Sequence, residues 1–295
     1  MIKMIKSVDI VYEQGSNEHN EDQYISNESH GFFAVIDGAT SLAKTGMPGL
    51  IASQTVRDAM AESVTASPLA AFQQANAALS ETAVAESEYL SVSATPKEER
   101  STCGGTAVRF HEDALEYAHL GDCMLFLEYS DGTVRRVTFD HLSRLDSVAI
   151  REAHDYRMKW LEQHGLPSGD DVQRMHKEIK EHVSPTLLAN RRKLNESDGY
   201  GVFDGSKEAE RFIESGTIPL INVSKVLLLS DGLQYPVSPD SGSDGWNEAA
   251  AHSFKHGVHS LLKKVNELEQ SDPLCYKYPR LKPADDKTAV LINLK

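Results

Sequence analysis

Cysteine is scarce in this chain, with three in 295 residues: Cys103, Cys123 and Cys275. No two of them stand in a Cys-x-x-Cys spacing. That excludes a zinc knuckle and a disulfide framework, and leaves reduced thiols that serve packing. Positive charge is short as well, with 30 Lys and Arg against 44 Asp and Glu, a net charge of -14. Such a deficit argues against sequence-independent binding to nucleic acid or to an anionic membrane, so neither partner is expected. No run reaches the roughly 18 apolar residues of a membrane-spanning helix. The opening MIKMIKSVDIVYEQ lacks an apolar core followed by a small-residue cleavage site. No signal peptide is expected, and the expected location is the cytoplasm. There is no internal repeat and no low-complexity tract. What remains is an ordinary globular composition, 40% apolar and 25% charged, long enough for a sizeable core.

The apolar run Phe32 to Ile36 reads as a buried strand that stops abruptly at Asp37-Gly38. Before it, Ser7 to Tyr12 alternates as a strand and Tyr24 to Ser26 forms a shorter one. After it come two helical patterns, Met47 to Ser63 and Leu69 to about Tyr89, the second with Ser67 as cap and Pro68 in the first turn. Strands follow from Thr102 to Thr138, with a hairpin turn at Asp131-Gly132. Strands placed after two consecutive helices argue for segregated layers, an α+β protein, and not for alternating βαβ units. Residues 140–222 are the least regular. Arg144 to Gln163 and Asp170 to His182 look helical, and Arg191-Arg192-Lys193 is a basic patch in an acidic chain. This region is either a mobile flap or an ordinary helical insertion. Lys225 to Leu229 is a strand that delivers Ser230-Asp231-Gly232. Asn247 to Glu269 reads as one amphipathic helix, and Asp285-Asp286-Lys287 opens a last strand, Thr288 to Leu294.

Five places therefore put an acid at a strand end: Glu21/Asp22, Asp37, Asp122, Asp231 and Asp285/Asp286. Three of them interrupt the most apolar segments of the chain. A carboxylate there is costly to bury without a cation or donors. Carboxylates that converge raise one another's pKa unless cations neutralise them. An oxygen-only donor set suits Mg²⁺ or Mn²⁺, and no His or Cys cluster in the sequence pattern competes as a zinc site. Two such ions about 4 Å apart can hold a water as hydroxide and align a phosphate for in-line attack.

In order along nearly the whole chain, these residues resemble the metal-dependent phosphatases of the protein phosphatase 2C (PPM) family. Asn20-Glu21-Asp22 looks like its first acidic motif, and Val35-Ile36-Asp37-Gly38 like its hallmark strand and turn. Gly104-Gly105-Thr106-Ala107, Leu120-Gly121-Asp122 and Thr138-Phe139-Asp140-His141 are similar to the next three. Leu228-Leu229-Ser230-Asp231-Gly232 and Asp285-Asp286-Lys287-Thr288 match the last two. The resemblance implies a four-layer α-β-β-α sandwich, two antiparallel sheets flanked by helices, in a single domain over residues 1–295 with a helical flap or insertion at about 141–222. It implies two Mn²⁺ or Mg²⁺ ions, and a third in bacterial-type members. By the resemblance Asp37 bridges the two ions, Asp231 and Asp285 hold one, and Glu21 with the Gly38 carbonyl holds the other. Asp122 joins Asp231 at the third. Asp22 and Asp286 support the ligands, with Asp286 standing where the family usually has Asn.

Two departures stand out. Asn17 occupies the position of the family's phosphate-gripping Arg, and Ala39 that of a His found after Asp-Gly in many eukaryotic members. Arg191, Arg192 and Lys44 are the candidates to replace the Arg. His141 reads as a structural hydrogen-bonding residue. The expected activity is phosphomonoester hydrolysis, on phosphoserine and phosphothreonine of proteins, by direct attack of a metal-bridging hydroxide on phosphorus. A phosphorylated protein, and a cognate kinase opposite the enzyme, are the expected partners, and a monomer the expected state. The alternatives are a phosphatase for a small phosphorylated metabolite, which the missing Arg supports, and a catalytically inactive binding protein.

Overall fold

The computed structural model describes residues 4–39, 42 and 48–295. Ten strands among them form two five-stranded antiparallel sheets. The first runs β1-β10-β9-β6-β7, from Ile5–Glu13 (β1), Met124–Tyr129 (β6), Val134–Arg136 (β7), Val223–Leu229 (β9) and Lys287–Leu294 (β10). The second runs β2-β3-β4-β5-β8, from Gln23–Asn27 (β2), Phe32–Ala39 (β3), Thr102–Phe110 (β4), Ala114–Leu120 (β5) and Glu214–Pro219 (β8).

The central strands are apolar throughout because both of their faces are covered. In β3, Phe33 and Val35 meet Leu125, Val226, Leu228 and Val290 of the other sheet. Phe32, Ala34 and Ile36 face the opposite way, against helices α1 (Gly49–Glu62) and α2 (Pro68–Ala85). In β9 the roles alternate likewise. Val226 and Leu228 point between the sheets, and Leu227 and Leu229 point at α5 (Trp246–His256) and α6 (Val258–Gln270). The result is the expected α-β-β-α sandwich. The parity of β3 also aims the next odd residue, Asp37, into the seam between the sheets, where that seam opens to one end.

Local chemistry sets several element ends. Ser67 caps α2, its hydroxyl accepting from the Ala70 N–H at 3.2 Å. Gly132, at φ +84°, closes the β6–β7 hairpin. The single helix expected over 247–269 is two, because Gly257 at φ +84° breaks it. The strand ending at Ile36 in fact continues to Ala39, so Asp37 and Gly38 pair with Gly104 and Cys103 and do not form a turn. Helix α4 (Asp170–Arg191) runs through Pro185 past the expected end at His182 and packs antiparallel on α3 (Ser143–His164). Ala153, Trp160, Met175, Ile179 and Val183 form a small separate core there, which offsets the interior proline. Buried Arg157 ties α3 to the loop before β10 by donating to the carbonyls of Cys275 and Arg280. Among the described residues, no helix is long and apolar enough to cross a membrane.

Candidate metal centre

The acids at the strand ends converge. Asp37 leaves the seam beside Gly104, and a Cβ on Gly104 would lie 3.0 Å from an Asp122 carboxylate oxygen. Asp122 sits on the connection from β5 to β6, where the chain crosses between the sheets. Asp231 follows β9 and lies within charge range of Asp37. Asp285 precedes β10, and Gly232 lets that segment approach: a Cβ there would lie 1.9 Å from the Asp286 carbonyl oxygen. Asp122, Asp231 and Asp285 line a cleft of about 550 Å³, walled by α3, by residues 234–239 and by residues 278–282.

Burial pushes the Asp37 carboxyl well above the usual carboxylate range, and Asp22, Asp231, Asp122 and Asp285 push it further. Burial raises Asp122 in the same direction, aided by Asp231, Asp140 and Asp146. Burial and Asp285 lift Asp231 to about 6, opposed by Asp37 and by the Lys282 ammonium. Asp22 is lifted to about 8 by burial, against the hydroxyls of Ser230 and Thr288. One carboxylate oxygen each of Asp22 and Asp231 is buried without a hydrogen-bond partner. Orphaned oxygens and mutually repelling carboxyls are the condition that divalent cations relieve, so the residues present fit Mn²⁺ or Mg²⁺.

The supporting residues are placed as follows. Both Asp286 oxygens are spent on the backbone, accepting from the Gly15 N–H at 2.7 Å and the Glu21 N–H at 2.8 Å. Asp286 thereby fixes the β1–β2 loop and does not replace Asp285. Asp22 accepts from the Ser230 hydroxyl at 2.7 Å. Glu21 stands at the mouth of β2, its carbonyl accepting from the Ser53 hydroxyl at 2.5 Å. Gly38 has no room for a side chain, since a Cβ would lie 2.6 Å from the Glu21 carbonyl oxygen and 2.8 Å from that of Gly49. Gly38→Ala is therefore expected to destabilise the fold by about 2–4 kcal/mol. Urea denaturation, read beside Mn²⁺ calorimetry, would detect this; an unchanged midpoint would contradict the packing.

The basic candidates lie elsewhere. The Arg191 guanidinium is buried and donates to the carbonyls of Ala39 and Arg100, both at 3.1 Å. Arg192 pairs with Glu98 at 3.2 Å. Neither lines the cleft, and Lys44 lies outside the described residues. Of the cations that line the cleft, Arg151, Arg280 and Lys282, Lys282 stands at the acids, with its ammonium 2.5 Å from Asp285. Burial pulls Lys282 down, but Asp285, Asp231 and Asp37 outweigh it and hold its pKa above the ordinary lysine value. Asp146 on α3 is a further acid of the cleft, lifted to about 7 by burial, Asp231 and Asp140. Asp140 anchors the start of α3, accepting from the N–H groups of Leu142 and Ser143 and from the Trp246 indole. The three cysteines are buried, and burial raises every thiol pKa, as suits packing residues.

Two face-to-face sheets with acids from both gathered over a cleft define a metal-dependent hydrolase of the α-β-β-α type. A family model described as protein phosphatase 2C matches residues 13–270. The chain belongs to the protein phosphatase 2C family and is a metal-dependent protein phosphatase. Among curated proteins none matches significantly. Solved structures with the same fold include the Mycobacterium tuberculosis serine/threonine phosphatase PstP/Ppp, at 19% identity and TM-score 0.55 over 98% of each chain. The catalytic domain of PstP in complex with two manganese ions is 18% identical, with TM-score 0.56 over 98% of this chain and 97% of that one. Stp1 from Staphylococcus aureus is 14% identical, with TM-score 0.52 over 99% and 96%.

Proposed function

We propose that the enzyme removes phosphate from phosphoserine and phosphothreonine in proteins by direct displacement at phosphorus, without a covalent enzyme intermediate. The observation behind this reading is the meeting of Asp122, Asp231 and Asp285 at one cleft, with buried Asp37 within charge range of all three. Asp37, Asp231 and Asp285 with Glu21 and the Gly38 carbonyl would hold two Mn²⁺ or Mg²⁺ ions, and Asp122 with Asp231 a third. Bound there, the ions lower the pKa of water to near neutrality and offset the charge of the phosphate. Asp22 and Asp286 hold the ligand-bearing loops in place. Lys282 takes the part of the missing Arg, exchanging Asp285 for a phosphate oxygen as a point charge and not as a two-pronged clamp. Tyr235, Pro236, Tyr278 and Leu281 offer walls to the residues that flank a phosphorylated side chain. The region at 141–222 serves as the flap on the other side of the cleft. In this reading the enzyme works in the cytoplasm as a monomer, opposite a cognate kinase.

A panel of phosphopeptides and small phosphate esters, assayed with Mn²⁺, tests the substrate class. The expected result is a kcat/KM at least about tenfold higher for phosphopeptides, about 1.4 kcal/mol of transition-state binding. Preference for a small ester would replace this reading with a metabolite phosphatase. Phosphopeptide binding without turnover would make the chain a binding protein.

Lys282→Ala is expected to raise KM for the phosphopeptide about tenfold, and Lys282→Arg to restore it. Arg191→Ala is expected to leave KM within about twofold and lower Tm by several degrees, since it strips buried carbonyls of their donor. Steady-state kinetics and thermal melts of the three variants decide this. An unchanged KM in Lys282→Ala would remove Lys282 from phosphate binding.

A further inference from the structure

A second donor cluster, of residues that do not line the cleft, contains nitrogen. His119 on β5 stands directly opposite Glu214 on the edge strand β8. Opposed residues on neighbouring strands project from the same face. His141 joins them from the segment that leads into α3, its N–H donating to the Gly121 carbonyl at 3.2 Å. The two imidazoles meet edge to face, with centroids 5.6 Å apart at 80°. One ligand atom from each of His119, His141 and Glu214 lies within 4.8 Å of the other two.

His119 supplies a separate observation. Its ring is fully buried, and Nε2 donates to the Phe139 carbonyl at 2.9 Å. That fixes the lone pair on Nδ1, which is buried and has no hydrogen-bond partner. A buried acceptor left unmet is costly, and a cation is one group that satisfies it. We propose that His119, His141 and Glu214 form a binding site for a borderline-soft divalent cation of the zinc type, separate from the oxygen-only centre.

The surroundings suit that role. Burial draws His119 down to about 4, so its imidazole is neutral near pH 7 and binds without first losing a proton. The Phe139 carbonyl orients His119, and the Tyr117 hydroxyl donates to Glu214 at 3.2 Å, the kind of outer support that metal ligands use. Tetrahedral zinc needs its donors about 3.4 Å apart. The three ligand atoms already lie within 4.8 Å of one another, and His141 and Glu214 are only half-buried, which leaves their side chains room to draw in on an ion. Two nitrogens and one oxygen favour Zn²⁺ or Co²⁺ over Mg²⁺, so the two sites select different ions. An ion here would pin the edge strand β8 to the segment carrying Asp140 and the start of α3, the helix that walls the cleft.

Zn²⁺ calorimetry and Co²⁺ absorption on chelator-stripped full-length protein test the site, with millimolar Mg²⁺ present to fill the oxygen centre. Wild type and Asp37→Asn are both expected to bind one Zn²⁺ per chain, and Co²⁺ to give the intense visible bands of a low-coordinate N/O site. His141→Ala and Glu214→Gln are each expected to weaken that binding at least about tenfold. Circular dichroism checks folding, and Glu214→Gln carries the test if His141→Ala does not fold. Zinc binding unchanged in Glu214→Gln, or lost in Asp37→Asn, would overturn the assignment.

Discussion

Asp37→Asn is expected to lower kcat by roughly a thousandfold or more and to abolish tight Mn²⁺ binding, while the chain stays folded. Asp37 is the carboxylate on which the others act. It comes out of the seam between the sheets and lies within charge range of Asp22, Asp231, Asp122 and Asp285. An amide keeps the shape and removes the charge, so folding survives. A thousandfold loss is about 4 kcal/mol of transition-state stabilisation, the scale at which one group that gathers charge at a reacting centre operates. Turnover near wild type in folded Asp37→Asn would refute the assignment.

Metal-free protein is expected to lose stability as the pH rises from about 4 to about 8. In the unfolded chain these carboxyls ionise near 4. In the fold Asp231 is lifted to about 6 and Asp22 to about 8, with Asp37 and Asp122 also raised. Across that window the folded state holds protons that the unfolded state has released, so a higher pH favours unfolding. Mn²⁺ reverses the trend by binding the ionised carboxylates. At a thousand times its Kd one ion adds about 4 kcal/mol, a rise in Tm of ~7 °C at this chain length. Thermal melts in EDTA and in Mn²⁺ at pH 5 and pH 8 would show the largest metal effect at pH 8. A Tm in EDTA that does not change with pH would contradict the cluster.

How much of this was legible beforehand depended on the kind of signal. Apolar runs interrupted by acids marked β3 and β9, because a strand covered on both faces leaves no other pattern. Asp37 and Asp231 stand out for the same reason, since a carboxylate in or after such a run asks for a partner, while Asp122 stands out beside Gly121 between two strands and Asp285 ahead of the last strand. The edge strand β8 was missed, since Glu214–Pro219 has one fully buried residue, Ile218, and carries little periodicity. Lys282 was invisible because it lies in an irregular segment, and only the fold brings it to Asp285. Arg191 misled in the opposite direction. A basic cluster in an acidic chain suggested a phosphate clamp, but the Ala39 and Arg100 carbonyls that occupy its guanidinium come from distant parts of the chain. Asp146 was hidden in the polar pattern of α3, where nothing local distinguishes it from a solvent-facing acid.

The most direct test is phosphate release from a phosphothreonine peptide as Mn²⁺ is titrated into chelator-treated protein, with p-nitrophenyl phosphate as a second substrate. The expected result is no turnover in EDTA, a saturable rise with Mn²⁺, and loss of activity when EDTA is restored. Turnover unaffected by EDTA, or folded protein that binds Mn²⁺ and releases phosphate from neither substrate, would contradict it.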